Sequence, residues 1–175
     1  MKKLLFLCVL ACFVACNENN PDQNNPYANY VDLGLSSGIL WSSVNEINSH
    51  DSSPYFSSDE MMEVYSGHET FPSTSDWKEL WEGCVWIWTG TGYTIVGPGG
   101  DSITLPALGF RSNTDGTIHD KDSMCYYWQR DNHNSAMTYY LDKKRMWVSS
   151  LMSGMPIRLV KKKNRHEAEG SIYEE

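Results

Sequence analysis

Residues 72–88 read PSTSDWKELWEGCVWIW. Ser73 and Asp76 stand at the spacing of a capping box, in which two side chains satisfy each other's backbone N–H groups. Trp77, Leu80 and Trp81 follow at i, i+3 and i+4, which places them on one helical face, and Gly83 closes the run. From Cys84 the period changes to two. Trp86 and Trp88 then share one face of a strand, while Val85 and Ile87 share the other. The stretch predicts a capped helix running directly into a strand. Its tryptophans are expected in a core rather than on a ligand platform, because each buries so much area.

The same grammar extends upstream. The segments YVDLGL (30–35) and ILWSSVN (39–45) flank SSG and read as a hairpin. In SSDEMMEVYSGHE (57–69), Ser57 or Ser58 is the N-cap, acids fill the first turn and Gly67 is the stop, so a short helix is expected. Downstream of Cys84 only strand signals appear: YTIV, SITLPALGF, MCYYWQR, AMTYYL, MWVSS and PIRLV, separated by Gly, Asp, Asn and Lys turns. A hairpin, two helices and a meander of strands predict an α+β fold with the helices packed on an antiparallel sheet.

Five collinear motifs carry a family resemblance: YVDLGLSSGILW, FPSTSDWKELWEGCVWIW, GYTIVGPGGDSITLPALGFR, YYWQRD and MPIRLV. In this order they resemble the Fibrobacter succinogenes major paralogous domain, over about residues 30–160. The resemblance implies a small module with a C-type lectin-like fold whose two ends lie close together, in a secreted or lipid-anchored protein of the Bacteroidota type. It implies no defined activity. The chain departs from the family pattern in a short insert over residues 45–71, and in Gln129-Arg130-Asp131 where a serine-rich segment is common.

The N-terminus has its own logic. MKKLLFLCVLACFVAC places Lys2 and Lys3 before an apolar run from Leu4 to Ala15, the pattern of a secretory signal. The run is too short for a spanning helix, which needs roughly 20 residues. Ala15 directly before Cys16 resembles a bacterial lipoprotein signal, so Cys16 is expected to be acylated and to become the new N-terminus; plain cleavage near Ala15 is the alternative. One acyl chain holds a protein only marginally on a membrane, which is why several matter. The whole chain carries a net charge of −8, and removal of Lys2 and Lys3 makes it more acidic still. Anionic lipid would repel it, so the acyl chains must supply the anchoring. The expected organisation is a signal peptide over 1–15, a flexible Asn- and Pro-rich tether over 16–29, the module over 30–161 and a polar tail over 162–175. An outer-membrane lipoprotein of the cell envelope is the expected location, with its periplasmic and surface faces both open.

The charge balance also speaks against a nucleic-acid partner, which needs a basic patch to neutralise phosphates. Of the residues that could carry chemistry, Asn113, Asp115, Asp120 and Asp122 lie in one segment rich in calcium-type ligands. Arg111 stands where the first acid of such a loop belongs, and no Glu follows at the twelfth position, so a solvated turn is expected. The five histidines are scattered without metal-ligand spacing. No cofactor and no enzymatic activity are expected. Cys84 and Cys125 are candidates for a disulfide in an oxidising envelope, or else small buried hydrophobes. For a ligand, Trp128 with Gln129, Arg130, Asp131 and Asn132 offers an aromatic ring beside polar groups, the chemistry of a sugar site. The expected function is a non-catalytic binding module for a glycan or a surface ligand, reaching the membrane through its lipid anchor. The alternative is a structural or adhesion subunit that contacts protein.

Overall fold

The structure, a computed structural model, describes residues 28–65, 70–130, 136–141, 146–149 and 153–163, with the backbone alone over 136–141 and 146–149. The signal, the tether up to residue 27, Gly67 and most of the polar tail lie outside the described residues. In chain order the elements are β1 (Tyr30–Val31), β2 (Ile39–Ser42), α1 (Ser58–Tyr65), α2 (Thr74–Gly83), β3 (Val85–Trp88), β4 (Gly92–Val96) and β5 (Ser102–Pro106). There follow β6 (Phe110–Arg111), β7 (Ile118–His119), β8 (Cys125–Arg130), β9 (Ala136–Leu141), β10 (Met146–Ser149) and β11 (Val160–Lys162). The fold is α+β, with antiparallel ladders throughout the named strands.

The first hairpin forms, with Tyr30 opposite Ser42 and Val31 opposite Trp41. β11 pairs with the other side of β2, Val160 opposite Trp41, so both ends of the module meet on one sheet. β3, β4 and β5 make a second sheet as a meander, and β8, β9 and β10 make a third. β11 carries the ordered chain one residue past the boundary expected at 161, and Lys163 pairs with Asp32 at 3.4 Å.

Local rules explain the helices. At α2 the Ser73 hydroxyl accepts from the Asp76 N–H, and the Asp76 carboxylate accepts from the Ser73 N–H at 2.7 Å, which is the reciprocal box read from sequence. Ser57 and Glu60 repeat it at α1. Trp77 and Leu80 are buried, and the Trp77 ring meets Trp41 edge-on at 4.8 Å and Tyr127 at 5.5 Å. The Trp86 indole N–H reaches back to the Leu80 carbonyl at 3.1 Å, satisfying one of the acceptors that a helix end leaves open. Trp86 and Trp88 accordingly pack against the main core. Val85 and Ile87, on the opposite face of β3, are 64 % and 50 % exposed.

β8 lies between two cores. Cys125 and Tyr127 point into the one built around Trp41, Trp77 and Ile95; Tyr126 and Trp128 point into the other, with Phe56, Phe71 and Ile157. Alternation along a strand makes this possible, since neighbouring side chains face opposite ways. One expected strand is absent: over PIRLV, only Val160 belongs to a strand. The Pro156, Ile157 and Leu159 carbonyls accept instead from the N–H groups of Trp128, Glu46 and Ser42. Two go to the segment that ends β2 and one to β8, so no single ladder runs through these residues.

Candidate functional site

The ligand residues expected from sequence do not present a surface. Trp128 is 1 % exposed, and its indole N–H donates to the Phe56 carbonyl at 2.8 Å inside the second core. Gln129 is fully buried. A ring packed on both faces has none to offer a sugar, which corrects the expectation for these two residues. Arg130 is half-buried and its backbone N–H donates to Pro72 at 2.8 Å, while Asp131 and Asn132 lie outside the described residues.

Cys84 and Cys125 are free thiols, so the candidate disulfide is also corrected. Cys125 faces β5, where its thiol approaches the Leu105 carbonyl at 3.6 Å, and burial pushes its pKa up to about 12. Burial raises Cys84 as well, with Glu79 adding to it. The acidic turn closes on itself. Asp115 accepts from the hydroxyl and N–H of Thr117, and these bonds with that of Ser112 draw its carboxyl down to about 2. The Tyr126 hydroxyl donates to Asp120 at 2.7 Å. Among the described residues no group of three or more His, Cys, Asp or Glu converges to hold a metal ion.

A concave site lies elsewhere. After β2 the chain loops over residues 43–54, and this loop faces the end of β5 across a cleft of about 410 Å³. The loop is internally tied. Asn48 is buried, its amide donating to the Tyr55 carbonyl at 3.0 Å and accepting from the His50 N–H at 3.0 Å. Outside it, Arg111 forms an ion pair with Asp51 and stands 5.7 Å from the Tyr55 ring centre. The Tyr55 hydroxyl crosses to the Leu108 carbonyl at 2.8 Å, joining one wall to the other. Those walls are apolar: Val44, Ile47 and Pro54 on the loop side, Pro106 and Leu108 opposite. Val44 and Ile47 stand exposed at the rim.

The floor is polar. Arg158 is 1 % exposed, and its guanidinium donates to the Ser42 carbonyl at 2.9 Å and the Thr104 carbonyl at 2.7 Å, fastening β2 to β5. Burial draws its pKa down and the neighbouring Tyr127 opposes that, yet a guanidinium stays a cation in any protein. No described carboxylate forms an ion pair with it. Its Nε–H has no hydrogen-bond partner. Beside it, the Asn45 amide donates to the Tyr127 hydroxyl at 3.3 Å, while Asn45 Oδ1 is buried and without a partner. Tyr127 in turn donates to the Pro106 carbonyl at 3.2 Å, and burial pushes its pKa up to about 12. A buried polar atom without a partner costs about 1–3 kcal/mol, and both amide atoms of buried Gln129, away from the cleft, are in the same state.

Sequence reading missed both residues. Arg158 sits in an apolar run between Ile157 and Leu159, and a lone cation in such a run is the signal that could have found it. Asn45 carries no local signal. Comparison with protein-family models, with curated proteins and with solved structures finds no match.

Proposed function

We propose that this chain is a non-catalytic binding module of the cell envelope, held at the outer membrane by acyl chains on Cys16, whose ligand is a glycan or another surface molecule. The observation that carries the reading is the cleft beside Arg158, where apolar walls from two separate segments stand over a floor that holds Asn45 and a buried cation. Small-ligand sites combine an apolar lining with a few well-placed polar groups. The resemblance of residues 30–160 to the Fibrobacter succinogenes major paralogous domain, with its C-type lectin-like fold, supports the same reading by analogy. An array of glycans probed with the full chain in detergent micelles, with and without calcium, tests it. Binding to defined glycans that weakens in Asn45→Leu is expected. A silent array sinks the glycan reading. Mass spectrometry of the mature N-terminus tests the anchor: the expected species begins at Cys16 and carries acyl chains, and an unmodified start elsewhere refutes it.

A second reading has one observation of its own. β3 pairs only with β4 among the described strands, and its outward residues Val85 and Ile87 are apolar and exposed. A strand with such a face suits a structural or adhesion subunit that contacts protein. Capture of an envelope protein that is lost in Ile87→Lys, together with a silent array, would favour this reading.

A further inference from the structure

The sheet of β3, β4 and β5 has two edges of different character. In the β3–β4 hairpin the Thr89 N–H donates to the Gly92 carbonyl at 2.9 Å. Bonded pairs alternate along an antiparallel ladder, so Ile87 and Val85 bond to β4 as well. The backbone N–H and C=O of Trp86, between them, therefore point away from β4. At the opposite edge the same alternation turns the Thr104 and Pro106 carbonyls outward, and there Arg158 and Tyr127 donate to them at 2.7 and 3.2 Å. Pro106 has no N–H to leave open. No such cover stands along β3, where β4 is the one described element that packs closely. Natural sheets guard an edge with a charge, a proline or a bulge, and VWIW has none of these. Val85 and Ile87 stand exposed on its outer face, beside Val96 and Thr94 of β4.

Charge decides what can cover this edge. The chain carries a net charge of −8, so two copies repel one another on average. Residues 83–100, which hold all of β3 and β4, contain no charged side chain, so here two copies meet without like charges opposed. The backbone pattern is self-complementary too. About a twofold axis at Trp86, an antiparallel copy of β3 exchanges both N–H···O=C bonds between the two Trp86 residues. We propose that β3 pairs with β3 of a second copy in this register, joining two three-stranded sheets into one of six strands. This rests on the exposed edge of the adhesion reading and names its occupant. Ile87 of each copy stands opposite Val85 of the other, at the closer of the two antiparallel spacings. A twofold axis at Ile87 would set that residue against itself and leave Val85 opposite Thr89, so the axis at Trp86 buries more apolar surface.

Disulfide trapping reads the register directly. In a Cys84→Ser background, full chains with Val85→Cys and full chains with Ile87→Cys are mixed in detergent micelles and oxidised in air. The register sets these two positions about 4.5 Å apart between Cα atoms, within reach of a disulfide. The mixture is expected to give a linked pair in about tenfold excess over either variant alone, since each lies too far from its own copy. Sedimentation of the unmodified chain in density-matched detergent needs no variant, so it stands even if a substitution harms folding. It should show a species of two chains whose share rises with concentration. Ile87→Lys should weaken that species by about tenfold or more, with the melting temperature unchanged because Ile87 is exposed. Linking of one variant with itself as readily as in the mixture overturns the axis at Trp86. A single chain at every concentration, with no linked pair, overturns the second copy. If the unmodified chain then still captures an envelope protein that Ile87→Lys loses, this inference falls alone and the adhesion reading stands; if it captures none, both fall.

Discussion

Gly97→Ala tests how the opening hairpin is held to the second sheet. Gly97 is buried, its N–H donates to the Asp101 carbonyl at 2.9 Å, and the turn that follows donates from Gly99 N–H to the Leu33 carbonyl at 3.0 Å. A methyl group on Gly97 would fall 2.5 Å from Leu33 Cβ and 2.7 Å from its carbonyl carbon, and closer still to its carbonyl oxygen. The obstacle is backbone, so no rotamer change relieves it. The turn or the hairpin must move by about an ångström, which strains well-packed surroundings by about 1–3 kcal/mol. Such a shift also endangers the Gly99 bond, for about 1 kcal/mol more. The expected loss is thus about 2–4 kcal/mol, or roughly 5–15 °C in melting temperature for a domain of this size. Gly100→Ala is the control. Gly100 has φ +93 but open space around it, so the substitution strains only the backbone, by about 1–2 kcal/mol. Urea unfolding followed by tryptophan fluorescence should rank Gly97→Ala as the more damaging. A smaller effect at position 97 than at position 100 would refute the close packing of this turn on Leu33.

Three further expectations follow from single contacts. Ser73→Ala removes the cap of α2 and should lower stability by about 1 kcal/mol in urea titrations, with Asp76→Ala similar because the box is reciprocal. Asp51 has its carboxyl drawn down to about 2, chiefly by its hydrogen bond from Arg111, then by Ser53. Its folded pKa lies below the usual carboxylate value, so its stabilisation is present above about pH 4 and is lost as pH falls towards 2. Acid titration of stability should therefore be shallower in Asp51→Asn than in the parent, and an identical profile would show that the exposed pair does nothing. Iodoacetamide at pH 8, followed by peptide mass spectrometry, should label Cys84 in the native protein and spare Cys125, whose thiol is buried with a pKa of about 12. Unfolding in urea without reductant should expose both, and a bonded peptide pair would contradict the free thiols.

The contrast between α2 and the cleft explains which features are legible in a sequence. Ser73, Asp76, Trp77 and Leu80 stand within one turn or two of each other, so spacing alone specifies the cap and the face that is buried, though not the distant rings that Trp77 meets. The tryptophans of β3 are similarly local, because Trp86 reaches back only to Leu80. β8 is different. The polar run that follows Trp128 invites a surface reading, yet Cys125, Tyr126, Tyr127 and Trp128 are aromatic or apolar on both faces. A strand without a polar face must lie between two layers, so the burial of Trp128 was available from CYYW itself. The cleft is not legible in that way. Its walls come from residues 43–54 and 104–108, which are ordinary in their own stretches, and only its cation at position 158 stands out locally. Pro156–Leu159 reads as one more strand, but it is a junction whose carbonyls serve two separate segments, the end of β2 and β8. That irregular course is what brings Arg158 to the Ser42 and Thr104 carbonyls. Two guanidinium nitrogens are committed to the backbone of β2 and β5, and the third, buried near Tyr127, forms no hydrogen bond of its own. The same fastening that closes the fold therefore leaves one buried donor without a hydrogen bond, a cost that no single stretch of the sequence announces.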